Sequence, residues 1–320
     1  MLLVDLLTCP FTFIGSLWLR LVRKAIVYMP VSDAIFMRTG ILPVPDHYYE
    51  PLINPKKHLS RPLTDDRPLP GIDFNTKEQL NLLDKFNYNA ELLSFPMEKP
   101  ASDISFYYNN DTFGTGDSEY LYSMVRHFKP ARILEIGSGR STLMVRNALQ
   151  ANQREAPDLQ CKHICIEPYE MPWLEKTGAE IIRKKLEDLD LSIFKTLGKN
   201  DILFIDSSHI IRPQGDVVVE YLEILPLLNP GVIVHIHDIF SPKDYPATWI
   251  YKEHKLWNEQ YLLEAFLSFN TSFKIIGALN YLWYQHREEL LQKCPILLKQ
   301  VDRRGPGPGS FWMVRQPSIH

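Results

Sequence analysis

The chain has 320 residues and a formal net charge of −3, with 45% hydrophobic and 23% charged residues, as in an ordinary soluble globular protein. This weakly acidic balance excludes the basic footprint of a nucleic-acid-binding protein. The four cysteines include no Cys-x-x-Cys pair, which favours a reducing, cytoplasmic compartment. Cys161 and Cys165 bracket His163 on one face of a predicted strand, where ordinary thiols are favoured over a metal or redox site.

The N-terminus is apolar over residues 2–19 and is followed by three basic residues, Arg20, Arg23 and Lys24. Asp5 stands where a secretory signal would carry basic side chains, and Asp5 together with Pro10 disfavours a membrane span. We expect a helix that packs on the domain or on a partner. Attachment to a membrane surface through residues 1–30 and a true span are the alternatives.

The next segment, residues 41–70, holds seven prolines and predicts an extended wrap or linker, because proline lacks the donor that regular elements need. Thr76 and Gln79 then form a predicted capping box at the start of a helix. Asp117 is the predicted N-cap of a further helix that reaches Phe128. We therefore divide the chain into an N-terminal helical and extended region, 1–100, and a second domain, 101–320.

From residue 130 onward, strands alternate with helices. Strands are predicted near 131–136, 162–167, 179–183, 201–206, 231–237, 273–279 and 310–315, and helices near 141–151, 170–177, 215–228 and 256–269. Near-continuous apolar strands between helices indicate a buried, doubly wound α/β sheet that is mostly parallel. A Gly/Pro turn over 303–309 predicts that the last strand closes the sheet in the antiparallel direction.

The strand at 131–136 runs into a glycine turn, Gly137-Ser138-Gly139, with Glu135 just before it and Ser141 just after it. Such turns let the backbone approach a ligand closely and usually hold a pyrophosphate. A carboxylate beside the turn would repel a pyrophosphate and attract a cation, and Thr142 replaces the third glycine of the dinucleotide fingerprint. The turn therefore predicts a site for S-adenosylmethionine, which carries a sulfonium, an ammonium and no phosphate.

Further acids follow the next two strands. Glu167 ends the second strand, where a carboxylate can accept hydrogen bonds from both ribose hydroxyls or can cap the following helix. Glu187 and Asp188 follow the third strand, where they either meet the adenine amino group or form a solvated charge cluster.

Two histidines and two aspartates follow the fourth and fifth strands, at Asp206, His209, His237 and Asp238. Ligands in parallel sheets bind beyond the carboxyl ends of the strands, so we expect these side chains to meet there. His209 or His237 is the candidate base or substrate anchor for methyl transfer to oxygen. A divalent ion held by Asp206 and Asp238 with a histidine, and purely structural roles, are the alternatives.

With these residues in place, the chain resembles a class I S-adenosylmethionine-dependent methyltransferase. The resemblance is to a bacterial group with the blocks Glu-Ile-Gly-Ser-Gly-x-Ser-Thr, Phe-Ile-Asp-Ser-Ser-His and His-Ile-His-Asp-Ile-Phe, which stand here at 135–142, 204–209 and 235–240. It covers roughly 105–315 and implies a Rossmann-like seven-stranded sheet with one antiparallel strand. It also implies donor contacts at Glu135, Gly137, Gly139 and Glu167. Related enzymes that modify sugars or natural products often use a divalent metal held by paired acids. Asp206 and Asp238 reproduce that pair only in part.

The sequence thus predicts an enzyme that methylates a hydroxyl of a small molecule or glycan, in the cytoplasm or at the membrane periphery, either as a single chain or as a homo-oligomer. Two alternatives stay open: a metal-assisted, hydroxylase-like enzyme using Asp206, His209 and Asp238, and a non-catalytic membrane-associated or scaffold protein that kept the fold.

Overall fold

The computed structural model describes residues 1–47, 49–102, 104–169, 171–300 and 307–317. It comprises two compact units. One contains residues 1–62 and 247–256, and the other contains residues 63–246 and 257–320. The predicted boundary near residue 100 stays a prediction, although the helices that follow residue 75 already contribute Leu82, Leu83 and Leu92 to the core of the second unit.

The first unit is helical. Its helices are α1 (Leu2–Lys24), α2 (Pro30–Thr39) and α3 (Pro55–His58), with a single turn at Ile26–Tyr28 and a wide turn at Trp249–Glu253. The sequence anticipated α1 as a helix. No described part of the chain buries its apolar window, so of the expected packing on the domain or on a partner, packing on a partner stays a prediction. Val22, which is 1% exposed, is the buried residue of this helix.

The second unit is built on a seven-stranded sheet. Its strands are β1 (Arg132–Ile136), β2 (Lys162–Ile166), β3 (Glu180–Ile182), β4 (Ile202–Ile205), β5 (Ile233–Ile236), β6 (Phe273–Ala278) and β7 (Phe311–Arg315). They lie in the order β3-β2-β1-β4-β5-β7-β6. All neighbouring strands are parallel except β7, which is antiparallel to both β5 and β6. The predicted fold, including its one antiparallel strand, is confirmed.

The sheet is covered on both faces, as the apolar strands predict. The helices of this unit are α4 (Thr76–Asp84), α5 (Asn89–Leu92), α6 (Asp117–Phe128), α7 (Arg140–Glu155), α8 (Asp216–Val219), α9 (Leu225–Leu227), α10 (Glu259–Leu267), α11 (Leu279–Gln285), α12 (Arg287–Lys293) and α13 (Pro295–Lys299). Alternation along β4 sends Ile202 and Phe204 into one core cluster with α6 and α7, while Leu203 and Ile205 enter a second cluster with α10.

Two predicted helix starts need correction. At α4, Thr76 Oγ1 contacts Tyr281 Oη at 2.8 Å and Gln79 Oε1 accepts a hydrogen bond from the Ala278 amide at 2.6 Å, so neither side chain completes a capping box. At α6, Gly116 occupies the cap position and Asp117 is the first helical residue. The Asp117 carboxylate instead accepts hydrogen bonds from the amides of Gly309 and Ser310, at 3.2 and 2.7 Å.

The helix predicted over 170–177 was also wrong, because the described residues there form only a single turn at Leu174–Lys176. The stretch predicted over 215–228 is helical but widens at Glu220–Ile224 between α8 and α9. Residues 303–306 of the predicted Gly/Pro turn lie outside the described residues.

Candidate active site

The glycine turn after β1 is fixed by the ends of its two neighbouring strands. Gly137 has φ +75, and a Cβ built on it would lie 1.9 Å from the Asp206 carbonyl oxygen, so only glycine fits there. The Gly137 amide donates to the Ile166 carbonyl at 3.0 Å, and the Asp206 amide donates to the Ile136 carbonyl at 2.8 Å. The carboxyl ends of β1, β2 and β4 are therefore joined into one edge.

A cleft of about 560 Å³ opens along this edge. It is lined by Ile136, Gly137, Ile166, Glu167, Pro168, Tyr169, Lys185, Leu186, Glu187, Asp206, Ser207, Ser208, Arg212 and Asp216. Four of these residues are acidic and two are basic, so the lining favours a cationic ligand over a phosphorylated one. Of the predicted donor contacts, Gly137, Glu167 and Asp206 line this cleft.

Glu167 is held in a defined position at the second strand end. Its carboxylate accepts hydrogen bonds from the Tyr169 amide at 2.8 Å and from the Ser138 amide at 3.3 Å. The side chain thus bridges the glycine turn and the loop after β2 while it faces the cleft. Two fixed backbone donors orient a carboxylate for a second set of hydroxyl donors.

Glu135 does not face the cleft, and its predicted direct contact with the donor needs correction. The residue is fully buried, accepts a hydrogen bond from Thr142 Oγ1 at 2.6 Å and pairs with His163 Nε2 at 2.8 Å. Burial by itself would lower the pKa of His163, but the neighbouring Cys165 and Glu135 side chains raise it to about 10. His163 is thus protonated at neutral pH and neutralises Glu135, so the charge that a ligand meets comes from Glu167 and the other cleft carboxylates.

Asp188 is a second correction, because its side chain is exposed and does not line the cleft. Its neighbour Glu187 does, with its carboxylate 4.0 Å from Arg212. The single turn at Leu186–Asp188 explains the difference, since buried Leu186 fixes which of the two acids turns inward. The apolar character of Leu186 was the sequence signal, because it predicts the burial that turns Glu187 toward the cleft.

The other predicted turn residues begin α7. The Gly139 amide donates to Thr142 Oγ1 at 3.2 Å, and Ser141 is buried in the first helical turn. The Ser138 hydroxyl oxygen is buried and has no hydrogen-bond partner among the described residues. Ser138, Gly139 and Ser141 do not line the cleft itself.

The predicted histidines and aspartates do come together, beside the cleft at the ends of β4 and β5. His209 Nε2 lies 3.3 Å from Asp206 Oδ1 and 3.6 Å from Asp238 Oδ2. His237 Nδ1 lies 3.4 Å from Asp206 Oδ1 and 3.6 Å from Asp238 Oδ1. Asp206 is therefore shared by both imidazoles and by the cleft.

Each histidine also has a third acidic partner that the sequence analysis missed. His209 Nδ1 pairs with the buried carboxylate of Glu259 at 2.8 Å, and His237 Nε2 lies 3.7 Å from Asp117. Glu259 further accepts a hydrogen bond from Tyr221 Oη at 3.2 Å. The Trp-Asn-Glu run at 257–259 was the sequence signal for Glu259. Its first residue, Trp257, also contacts His209, with the two ring centroids 4.5 Å apart.

This surplus of acids sets the protonation of the cluster. Burial opposes the charge of His209, but Asp206 and Glu259 raise its pKa to about 10. Burial likewise opposes the charge of His237, but Asp238 and Asp206 raise its pKa well above the usual range. The acids around the cluster therefore favour the charged form of both imidazoles. That His209 or His237 acts as the base or as a substrate anchor stays a prediction.

The carboxylates differ from one another in the same network. Burial opposes the charge of Asp206, yet the two imidazoles hold its pKa below the usual range. Burial raises the pKa of Asp238. Asp206, His209 and Asp238 also offer three ligand atoms within 4.8 Å of one another, a donor set of two oxygens and one nitrogen that fits a divalent cation.

Among the described residues, His235 contacts this cluster only through the ring of His237, with the two ring centroids 5.9 Å apart. It is fully buried, its ring stacks on Phe204 at 4.1 Å, and its Nε2 contacts Ser310 Oγ at 2.9 Å. Burial lowers its pKa well below the usual range, as expected for a neutral core histidine.

Comparison with known proteins gives a consistent family. Residues 134–239 match the model of a methyltransferase domain. A relative from Archaeoglobus fulgidus, an uncharacterised protein, is 32% identical over 184 residues, which cover 53% of this chain and 80% of that protein.

Several solved structures are similar in fold. An O-methyltransferase from Bacillus cereus in complex with S-adenosylhomocysteine has 13% identity and a TM-score of 0.39, with 82% of this chain and 94% of that chain covered. TomG from Streptomyces achromogenes, an O-methyltransferase of tomaymycin synthesis in complex with S-adenosylmethionine, has 14% identity and a TM-score of 0.35, with coverages of 74% and 90%. MycE of the mycinamycin pathway, solved with Mg and S-adenosylhomocysteine, has 15% identity and a TM-score of 0.37, with coverages of 69% and 56%.

Proposed function

Because this chain belongs to the class I S-adenosylmethionine-dependent methyltransferases, we propose that it transfers the methyl group to a hydroxyl oxygen of a small molecule or a glycan. The observation that carries the proposal is the double role of Asp206. Asp206 lines the cleft beside the glycine turn, and its carboxylate contacts both His209 and His237. Donor and acceptor would thus be held on two sides of one side chain.

In this proposal the donor occupies the cleft along the ends of β1, β2 and β4. Glu167 accepts hydrogen bonds from the ribose hydroxyls, and Glu187, in place of Asp188, lies toward the adenine. Gly137, which is the residue of the turn that lines the cleft, lies toward the methionyl end. The excess of carboxylates in the lining compensates the sulfonium and ammonium charges.

The reaction requires little covalent participation by the protein, because the sulfonium is already activated and positioning supplies much of the rate. A lone pair of the acceptor oxygen forms the C–O bond as the C–S bond breaks, and the sulfur keeps the bonding pair. The hydroxyl proton passes to a carboxylate. Asp238 is the proposed proton acceptor, since its raised pKa makes it a stronger base than Asp206. The protonated His209 and His237 anchor the acceptor and hold Asp206 ionised.

A divalent cation would be held by Asp206, His209 and Asp238. When bound there, it would supply Lewis-acid polarisation of an acceptor hydroxyl. The same donor set supports the second candidate, a metal-assisted hydroxylase-like enzyme. Elemental analysis of the purified protein separates the two: stoichiometric iron favours the hydroxylase, and magnesium or no metal is the expected result.

The proposal is tested with S-adenosylmethionine labelled in its methyl group. We expect the label to appear in an ether of a hydroxylated small molecule or glycan, with one S-adenosylhomocysteine formed per transfer. Asp238→Asn should retain S-adenosylhomocysteine binding by calorimetry and lose transfer. Label that reaches only nitrogen or carbon atoms would contradict the oxygen acceptor, and donor that binds without ever turning over would favour the non-catalytic alternative.

The acceptor is expected in the cytoplasm. All four cysteines of the chain lie within the described residues and are free thiols there, which suits a reducing compartment. We propose no nucleic-acid partner.

A further inference from the structure

The N-terminal helix α1 presents a continuous apolar surface that no described residue covers. Six large side chains on one side of it are between 52% and 77% exposed: Leu3, Leu7, Phe11, Ile14, Leu17 and Trp18. At about 100° per residue these positions fall within one third of the helix circumference. Soluble proteins rarely leave an apolar patch of this kind exposed unless something binds it.

The opposite side of α1 is polar and narrow. It carries Asp5, Thr8, Thr12 and Ser16, which follow one another at intervals of three or four residues. The Thr8 hydroxyl donates to the Val4 carbonyl at 3.0 Å, and the Thr12 hydroxyl donates to the Thr8 carbonyl at 3.2 Å. The helix is therefore two-sided, as in-plane membrane helices are.

Length and charge favour an in-plane orientation over a crossing. Among the described helices, α1 has the length and hydropathy that would allow it to cross a bilayer. Its charge-free part, however, runs only from Leu6 to Leu19, between Asp5 and Arg20. Fourteen residues at about 1.5 Å each span about 21 Å, which is short of the roughly 30 Å hydrocarbon core.

Basic residues at the C-terminal end of α1 indicate the chemistry of the surface it meets. Arg20 and Lys24 are exposed, whereas Arg23 lies 3.4 Å from Glu50 and Val22 is buried, so the helix end is tied into its unit. Two free cations beside an apolar side are complementary to anionic lipid headgroups. We propose that α1 attaches this protein to an anionic membrane surface as an in-plane helix, with its apolar side in the acyl boundary and its polar side toward water.

Vesicle binding of the full-length protein tests the attachment. We expect it to sediment with phosphatidylcholine vesicles that contain phosphatidylglycerol, and to do so less well without the anionic lipid or at high salt. The double variant Leu7→Gln, Ile14→Gln should lose more than tenfold in vesicle affinity, because it places polar amides in the acyl boundary. The matched variant Thr8→Gln, Thr12→Gln changes the polar side without adding charge and should stay within about threefold of the parent. Equal loss in both variants, or no loss in either, overturns the proposal.

Cysteine labelling on vesicles tests the orientation. In a Cys9→Ser background, Thr12→Cys and Ile14→Cys lie near the middle of α1 on opposite sides. An in-plane helix leaves the cysteine of Thr12→Cys reactive toward a membrane-impermeant maleimide and protects the cysteine of Ile14→Cys. Protection of both indicates a crossing, and reaction of both indicates that no lipid is bound, so each of these results overturns the proposal. Protection of the second without vesicles, with a doubled mass in sedimentation, assigns the surface to a second copy. Purified protein that lacks α1 through processing also overturns it.

Discussion

Replacing Gly137 by alanine tests whether the glycine turn and the end of β4 are fixed against each other. The added Cβ would lie 1.9 Å from the Asp206 carbonyl oxygen, and the backbone would keep a φ of +75. The left-handed conformation alone costs about 1–2 kcal/mol in a residue with a Cβ. Relief of the overlap separates the strand ends and weakens the two amide hydrogen bonds to Ile166 and Ile136, at about 1 kcal/mol each.

The expected total is about 3–4 kcal/mol of lost unfolding free energy, or a fall in Tm on the order of 10 °C. Thermal denaturation measures it, and calorimetry with S-adenosylhomocysteine should show loss of binding in the same variant. Gly139→Ala is the matched control for stability, because no atom lies within 4 Å of its Cβ and its φ of −172 is ordinary extended backbone. It should stay within about 1 kcal/mol of the parent. Equal stability of the two variants would refute the reasoning.

Three further predictions concern single side chains. Glu167→Gln should weaken S-adenosylhomocysteine binding about 10- to 100-fold, since a hydrogen bond to a charged group contributes about 1.5–3 kcal/mol, and Glu187→Gln should weaken it less; calorimetry compares the two, and the reverse ranking would count against the ribose assignment. Because the pKa of His163 is raised to about 10, its ion pair should stabilise the fold fully below about pH 6.5 and lose that contribution as the pH rises through 10. The free energy of unfolding, measured with denaturant, should fall less over this pH range in His163→Gln than in the parent. An equal fall in both would disprove the ion pair. Glu259→Gln should lower the pKa of His209 in an NMR titration, with donor binding retained, and an unmoved pKa would show that Asp206 alone sets it.

The sheet was predictable because its signals are local. Runs of apolar residues such as Ile202–Ile205 need no knowledge of their neighbours to be recognised as buried strands. The rule that ligands meet the carboxyl ends of parallel strands then placed Asp206, His209, His237 and Asp238 together, and the structure agrees. The helices over 279–299 were not predicted, since three short pieces interrupted at His286 and Cys294 give no sustained period.

The errors concern side chains whose partners are distant in sequence. Glu135 pairs with a histidine 28 residues away, and Asp117 binds amides more than 190 residues away. A single sequence shows the residue type at these positions and not the direction of its side chain. The protonation of His209 was unpredictable for the same reason, because Glu259 lies 50 residues further along the chain. A buried ion pair between residues that are distant in sequence cannot be recognised until the fold is known.

The peptide oxygen of Asp206 lies against Gly137 of the turn, and its carboxylate contacts two imidazoles. A shift of the turn on nucleoside binding would therefore reach the groups around the acceptor without passing through another residue. Thermodynamic linkage then requires each substrate to change the affinity for the other by the same factor. In an enzyme with this connection, the affinity for one substrate would depend on whether the other is bound.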